Sequence, residues 1–104
     1  MNLLLDTCTF LWLAASTHRI SSSAAAAIDN ELNTLFLSDA SVWEIALKHG
    51  LGKLPLPKPP RVWIPVQTDF FQVRRLIIDA QAIYLSGELP LIHRDPFDRG
   101  PGAN

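Results

Sequence analysis

The sequence predicts an α/β domain built on a mainly parallel sheet. Two observations carry that expectation. Short apolar runs recur at residues 3–5 and 35–37, and residues 73–78 read as a third strand. Stretches with helix-forming composition or helix-start signals lie between and after them. Strands that alternate with helices are joined by crossovers, and crossovers make neighbouring strands parallel.

Each element has its own local reason. Leu3-Leu4-Leu5 ends at Asp6 and reads as a buried strand, with a buried helical segment as the alternative that periodicity leaves open. Thr7 or Thr9 is placed to cap a helix that runs to Ala15. Ser21-Ser22-Ser23 precedes the alanine-rich stretch 24–33, which has high helix propensity. Leu35-Phe36-Leu37 is the second candidate strand. Ser41-Val42-Trp43-Glu44 has the Ser-x-x-Glu spacing of a capping box. Val42, Ile45, Ala46 and His49 continue at helical spacing, and Gly50 or Gly52 ends that helix.

Residues 54–60 hold four prolines in seven positions, which forces an extended linker. Residues 61–70 are ambiguous, with a helix opening after Pro59-Pro60 as one reading. Asp79 caps a helix to about Leu85, and residues 87–90 close it. Asp95-Pro96 has the form of another helix start, but Gly100-Pro101-Gly102 breaks it almost at once. A helix start contradicted so soon marks residues 100–104 as an atypical tail on a domain of residues 1–99.

Composition narrows the functional classes. At 104 residues the chain is one domain, and with 48% hydrophobic residues it can build a core. A net charge of −1 excludes a globally basic nucleic-acid binder but permits a local basic patch. A single cysteine, Cys8, excludes an internal disulfide framework and a cysteine-rich zinc site, and reads as a small buried apolar residue. The longest apolar run, residues 10–15, is far below the ~20 residues that span a bilayer. Asp6 interrupts the N-terminal apolar run and no Lys or Arg precedes it, unlike a secretory signal. The expectation is a soluble, cytoplasmic protein without a membrane partner.

Four acids stand at element junctions: Asp6, Glu44, Asp95 and Asp98. In a parallel sheet the strand C-termini and the helix starts after them share one edge, so acids distant in sequence converge there. Two carboxylates ~4 Å apart repel by ~4 kcal/mol at an effective dielectric of ~20. Such a group takes up protons or binds a cation. An all-oxygen donor set favours Mg²⁺ or Mn²⁺, and a carboxylate-held Mg²⁺ suits phosphodiester hydrolysis. Each acid also has a purely structural reading. Glu44 and Asp98 stand three residues after Ser41 and Asp95, as capping partners do, and Asp6 is a possible N-cap. His18, His49 and His93 lack metal-ligand spacing, and Trp12, Trp43 and Trp63 read as core or interface aromatics before base-stacking platforms.

The order of the segments adds a resemblance. Met1-Asn2-Leu3-Leu4-Leu5-Asp6-Thr7-Cys8-Thr9-Phe10-Leu11-Trp12-Leu13 resembles the opening of the PIN-domain ribonucleases, specifically the VapC-type toxins. Ser38-Asp39-Ala40-Ser41-Val42-Trp43-Glu44-Ile45-Ala46-Leu47-Lys48, continued by Leu51-Gly52-Lys53-Leu54-Pro55-Leu56, resembles their second block. Leu89-Pro90-Leu91-Ile92-His93-Arg94-Asp95-Pro96-Phe97-Asp98-Arg99 is similar to the third.

The resemblance implies a PIN-like three-layer fold and a Mg²⁺- or Mn²⁺-dependent endoribonuclease toxin of a type II toxin–antitoxin system. It implies catalytic Asp6, Glu44 and Asp98, with Asp95 beside them at the metal. Thr7 or Thr9 would bond a carboxylate or a metal-bound water, and Lys48, Lys53, Arg94 and Arg99 would contact RNA phosphates. A VapB-like antitoxin and a homodimer are the implied partners. The family's C-terminal apolar helix, further strand and fourth acid have no counterpart in residues 100–104. That departure implies an uncovered edge on the first strand. It also implies an alternative function: a truncated, catalytically weak or inactive toxin that acts only as an antitoxin- or partner-binding module.

Overall fold

The computed structural model describes residues 1–77, 79, 80, 84, 88, 91 and 92. In chain order it contains β1 (Asn2–Leu5), α1 (Thr7–Ala15), a 3₁₀ turn (Thr17–Arg19), α2 (Ser22–Asp29), β2 (Thr34–Ser38), α3 (Asp39–Gly50), α4 (Pro60–Phe70), β3 (Val73–Leu76) and β4 (Leu91–Ile92). The sheet order is β3-β2-β1-β4 and every pairing is parallel. This is the expected α/β architecture, a parallel sheet flanked by helices.

The register sets the core. Leu3 pairs with Leu35 and Leu5 with Leu37, while Leu35 and Leu37 pair with Val73 and Arg75. Side chains alternate along a strand, so Leu3, Leu5, Leu35, Leu37 and Val73 share one face. That face packs with Phe10 and Leu13 of α1, Ile45 of α3, and Trp63 and Ile64 of α4 in a single cluster. Leu4 is buried on the opposite face, so β1 is covered on both sides as a central parallel strand should be.

Several helix ends differ from expectation for identifiable reasons. At α1 the Asp6 reading of the cap holds and the Thr7 or Thr9 reading does not: the Asp6 side chain accepts from the Thr9 amide at 2.6 Å. Helix α2 is capped by Ser21, the first of the three serines, and stops at Asp29. There Asn30 Oδ1 accepts from the Leu32 amide, and Asn33 Nδ2 donates to the Ala27 carbonyl, which turns the chain. Helix α3 starts a turn before the expected capping box, with Ser38 accepting from the Ala40 amide and Asp39 in its first turn. It ends in a Schellman pattern, the Gly52 amide on the His49 carbonyl and the Lys53 amide on the Lys48 carbonyl, with Gly52 at φ 73°.

Residues 54–59 form the extended linker, with Leu54 and Leu56 turned onto the core. The ambiguous segment is helix α4, entered through Pro60 at its first position. β3 is shorter than read and stops at Leu76, leaving Ile77 exposed. Most of the helix expected after Asp79, the start at Asp95-Pro96 and the tail at 100–104 lie outside the described residues.

The expected open edge on β1 is not found. β4 pairs with β1 through Leu4–Leu91 and Leu5–Ile92, so β1 has a neighbour on each side. Leu91 and Ile92, which enter the sequence reading only as part of the third block, form the two-residue strand that supplies this cover.

Candidate functional site

The C-terminal ends of β1 and β2 bring the first two candidate acids to one edge of the sheet. Asp6 follows β1 directly and is half-buried at the start of α1. Its capping bond to the Thr9 amide fixes the carboxylate at the strand–helix junction. Thr7 is the first residue of α1, and its Oγ1 lies 2.9 Å from both Ser41 Oγ and Glu44 Oε1 of α3. A threonine hydroxyl has one proton. With Glu44 ionised, that proton goes to the carboxylate and the Ser41 hydroxyl completes the three-member chain. Thr7 therefore ties the Asp6 junction to Glu44 across 37 residues of sequence.

Glu44 is not the capping partner of Ser41, because both lie inside α3 and Ser38 caps it. Its second oxygen accepts from Lys48 Nζ at 2.6 Å, one turn along the helix. The Lys48 ammonium is the main cause holding the Glu44 carboxyl below its usual range, aided by the Thr7 bond and opposed by partial burial. The same contact holds the Lys48 ammonium above its usual range. Lys48 thus neutralises Glu44 while its own side chain stays exposed.

Of the other candidates, Thr9 is fully buried and its amide serves the Asp6 cap. Lys53 lies in the Schellman turn beyond α3 and forms no ion pair with Asp6 or Glu44. Arg94, Asp95, Asp98 and Arg99 lie outside the described residues. Among the described residues, no group of three or more His, Cys, Asp or Glu is gathered as a metal centre. Two carboxylates with water are nevertheless an ordinary way to hold Mg²⁺, which dehydrates reluctantly and takes few protein ligands. Asp6 and Glu44 are hard-oxygen donors of the type that ion prefers, and Lys48 occupies one of the Glu44 oxygens.

Sequence reasoning missed two features here. Ser41 was read as a cap, whereas it supports Thr7; its i, i+3 spacing to Glu44 is equally the signature of two residues on one helix face. Arg75 was not singled out. It sits on β3 at the same edge, its Nε donating to Asp39 Oδ1 at 2.7 Å. Nothing in a run of two arginines within a strand distinguishes that partner.

With this geometry established, similarity to known proteins is limited but directed. No family model matches the chain. Over 40 residues it is 45% identical to ribonuclease VapC16 of Mycobacterium tuberculosis (strain ATCC 25618 / H37Rv), which covers 38% of this chain and 28% of that relative. No solved structure matches. No helix among the described residues is long and apolar enough to cross a membrane.

Proposed function

We propose that the chain is a Mg²⁺- or Mn²⁺-dependent endoribonuclease of the VapC toxin kind, acting beside a VapB-like antitoxin in the cytoplasm and assembling as a homodimer. The observation that carries this reading is the Thr7 bridge, which joins the Asp6 junction to Glu44 at the C-terminal sheet edge. The partial match to a ribonuclease supports it. Asp6 and Glu44 would hold the cation, with Asp98 and Asp95 as further ligands. An ion held there would supply water activation and charge stabilisation at phosphorus. Thr7 fixes one Glu44 oxygen and so orients the carboxylate. Lys48, released from Glu44, is left one helical turn away as a cation for a phosphate oxygen. Hydrolysis adds the water oxygen to phosphorus, breaks one ester P–O bond and leaves the proton on the departing oxygen.

The test is cleavage of a single-stranded RNA with Mg²⁺ or Mn²⁺, compared with Asp6→Asn. Asn caps a helix about as well as Asp, so the variant keeps its melting temperature within a few degrees. Its cleavage rate is expected to fall at least a hundredfold, on the order of the loss when a key charge-stabilising group is removed. Cleavage that persists in EDTA or in Asp6→Asn overturns the reading.

One observation favours a second reading. Both Glu44 oxygens already have protein partners, Thr7 and Lys48, which suits a catalytically silent module that only binds its antitoxin. Co-purification with an antitoxin and no metal-dependent cleavage would favour it; robust turnover would exclude it.

A further inference from the structure

Helix α3 separates the acid pair from a second feature. Successive residues turn by ~100°, which puts Ser41, Glu44 and Lys48 on one flank and Val42, Ala46 and His49 on the other. The second flank faces α4 across a cleft of about 540 Å³. Val42, Ala46 and Ile64 give it apolar walls, and Arg61 and Arg75 supply cations from α4 and β3. Arg75 is held by Asp39 yet 39% exposed, and a guanidinium carries five N–H donors, so the ion pair does not exhaust it. His49 is fixed by its Nδ1 contact with the Leu54 carbonyl at 3.0 Å.

Two further observations connect the cleft to the acid pair. Arg75 is in register with Leu37, and Leu37 with Leu5, the residue before Asp6. Two strand spacings of ~4.8 Å separate those positions, so the Arg75 backbone stands ~10 Å from the Asp6 junction along the same sheet edge. Trp43 projects from the outer surface of α3, between the two flanks, and is 67% exposed. An exposed indole beside Glu44 in sequence contributes little to the core. Cations that engage phosphates and an aromatic that stacks a base are the two components of single-strand recognition.

We propose that a single-stranded RNA crosses α3, its phosphates held in the α3–α4 cleft by Arg61 and Arg75, one base stacked on Trp43, and the next phosphodiester delivered to Asp6 and Glu44. The track rests on the endoribonuclease reading for its destination, but its binding component is measured separately. A fluorescein-labelled single-stranded oligoribonucleotide, titrated in EDTA so that no metal-dependent cleavage interferes, reads affinity by anisotropy. Trp43→Ala is expected to weaken binding about tenfold, the loss of one stacked base. Arg61→Gln is expected to weaken it and to lower the salt slope by about 0.7, one phosphate contact on a single strand. Lys58→Gln removes an equal charge from the proline-rich linker and is expected to leave affinity unchanged. Arg75 is spared because its loss would also break the Asp39 pair. Circular dichroism checks that each variant is folded.

Wild-type affinity in Trp43→Ala and Arg61→Gln overturns the track, as does equal weakening by Lys58→Gln. Failure of the folded wild-type chain to bind the oligonucleotide also overturns it. Arg61-dependent binding of polyglutamate without RNA binding would give the cleft to an acidic protein partner instead. The expected binding pattern with no cleavage after Mg²⁺ is added would overturn the endoribonuclease reading and leave the binding track standing.

Discussion

Glu44 shows how one side chain carries both the structural and the chemical content of the site. Its two oxygens are shared between Thr7 and Lys48, so its position is fixed from two helices. Because the Glu44 carboxyl is held below its ordinary value of 4.5, the ion pair contributes stability above that pH and loses it as pH falls through the lowered value. The raised Lys48 ammonium gives the opposite limb: its contribution is full below 10.5 and is lost as pH rises through the raised value. The pair is half-exposed, so both limbs are shallow. Melting temperature against pH should therefore separate wild type from Lys48→Met at mid-range pH, with the two curves converging in acid and again in strong alkali. Parallel curves across the whole range would show that the contact is not made in solution. The acids themselves were legible, since Asp6 and Glu44 stand at element junctions; the ion pair was not. A lysine four residues after a glutamate is common on any solvated helix face.

At the scale of elements, the signals read best were those with a single backbone meaning. The serines before an alanine run announced a helix, and Gly52 was one of two glycines offered as the end of α3, whereas Pro60, read as linker, opens α4. The start of α3 was misread because Ser38 and Ser41 are both competent caps and spacing alone cannot rank them. What decides is β2, which ends at Ser38 and leaves no residues for a loop before the helix. Helix α4 was ambiguous because Pro65 lies inside it, removing one N–H from the ladder, while Trp63, Ile64 and Thr68 still bury a continuous face. Where α4 turns into β3, Gln72 adopts φ 56°, the left-handed region. A non-glycine residue there carries roughly 1–2 kcal/mol of steric cost, and glycine's greater unfolded-state freedom returns part of any gain. Gln72→Gly should thus stabilise the chain by about 0.5–1 kcal/mol in a urea titration with unchanged slope. Destabilisation would mean that the Gln72 side chain contributes more than its backbone costs.

At the scale of the molecule, the acid pair depends on a core that belongs to every element around it. Asp6 is placed by β1 and α1, and Glu44 by β2 and α3. What fixes these elements against one another is a cluster centred on Phe10, Leu5, Leu37, Ile45 and Ile64, all essentially inaccessible. The one whole-molecule feature the sequence hid was β4. Its two residues reach β1 from nearly ninety positions away, and no local pattern encodes a pairing that distant. Phe10 is three residues beyond Thr7 and meets Trp63 of α4 edge-on, ring centroids 6.1 Å apart and planes at 76°. Truncating a buried phenylalanine costs about 3–5 kcal/mol. A chain of 104 residues has roughly 5–15 kcal/mol in total, at ~0.05–0.15 kcal/mol per residue. Phe10→Ala should therefore remove about a fifth or more of the stability and lower the melting temperature by roughly 12–40 °C, at about 4–8 °C per kcal/mol for a domain near this size. If the proposed endoribonuclease reading holds, RNA cleavage at room temperature should fall with the folded fraction in Phe10→Ala, whereas Asp6→Asn should lose it at full stability. A Phe10→Ala chain that melts within a few degrees of wild type would place the organising contact between α1 and α4 somewhere other than Phe10 and Trp63.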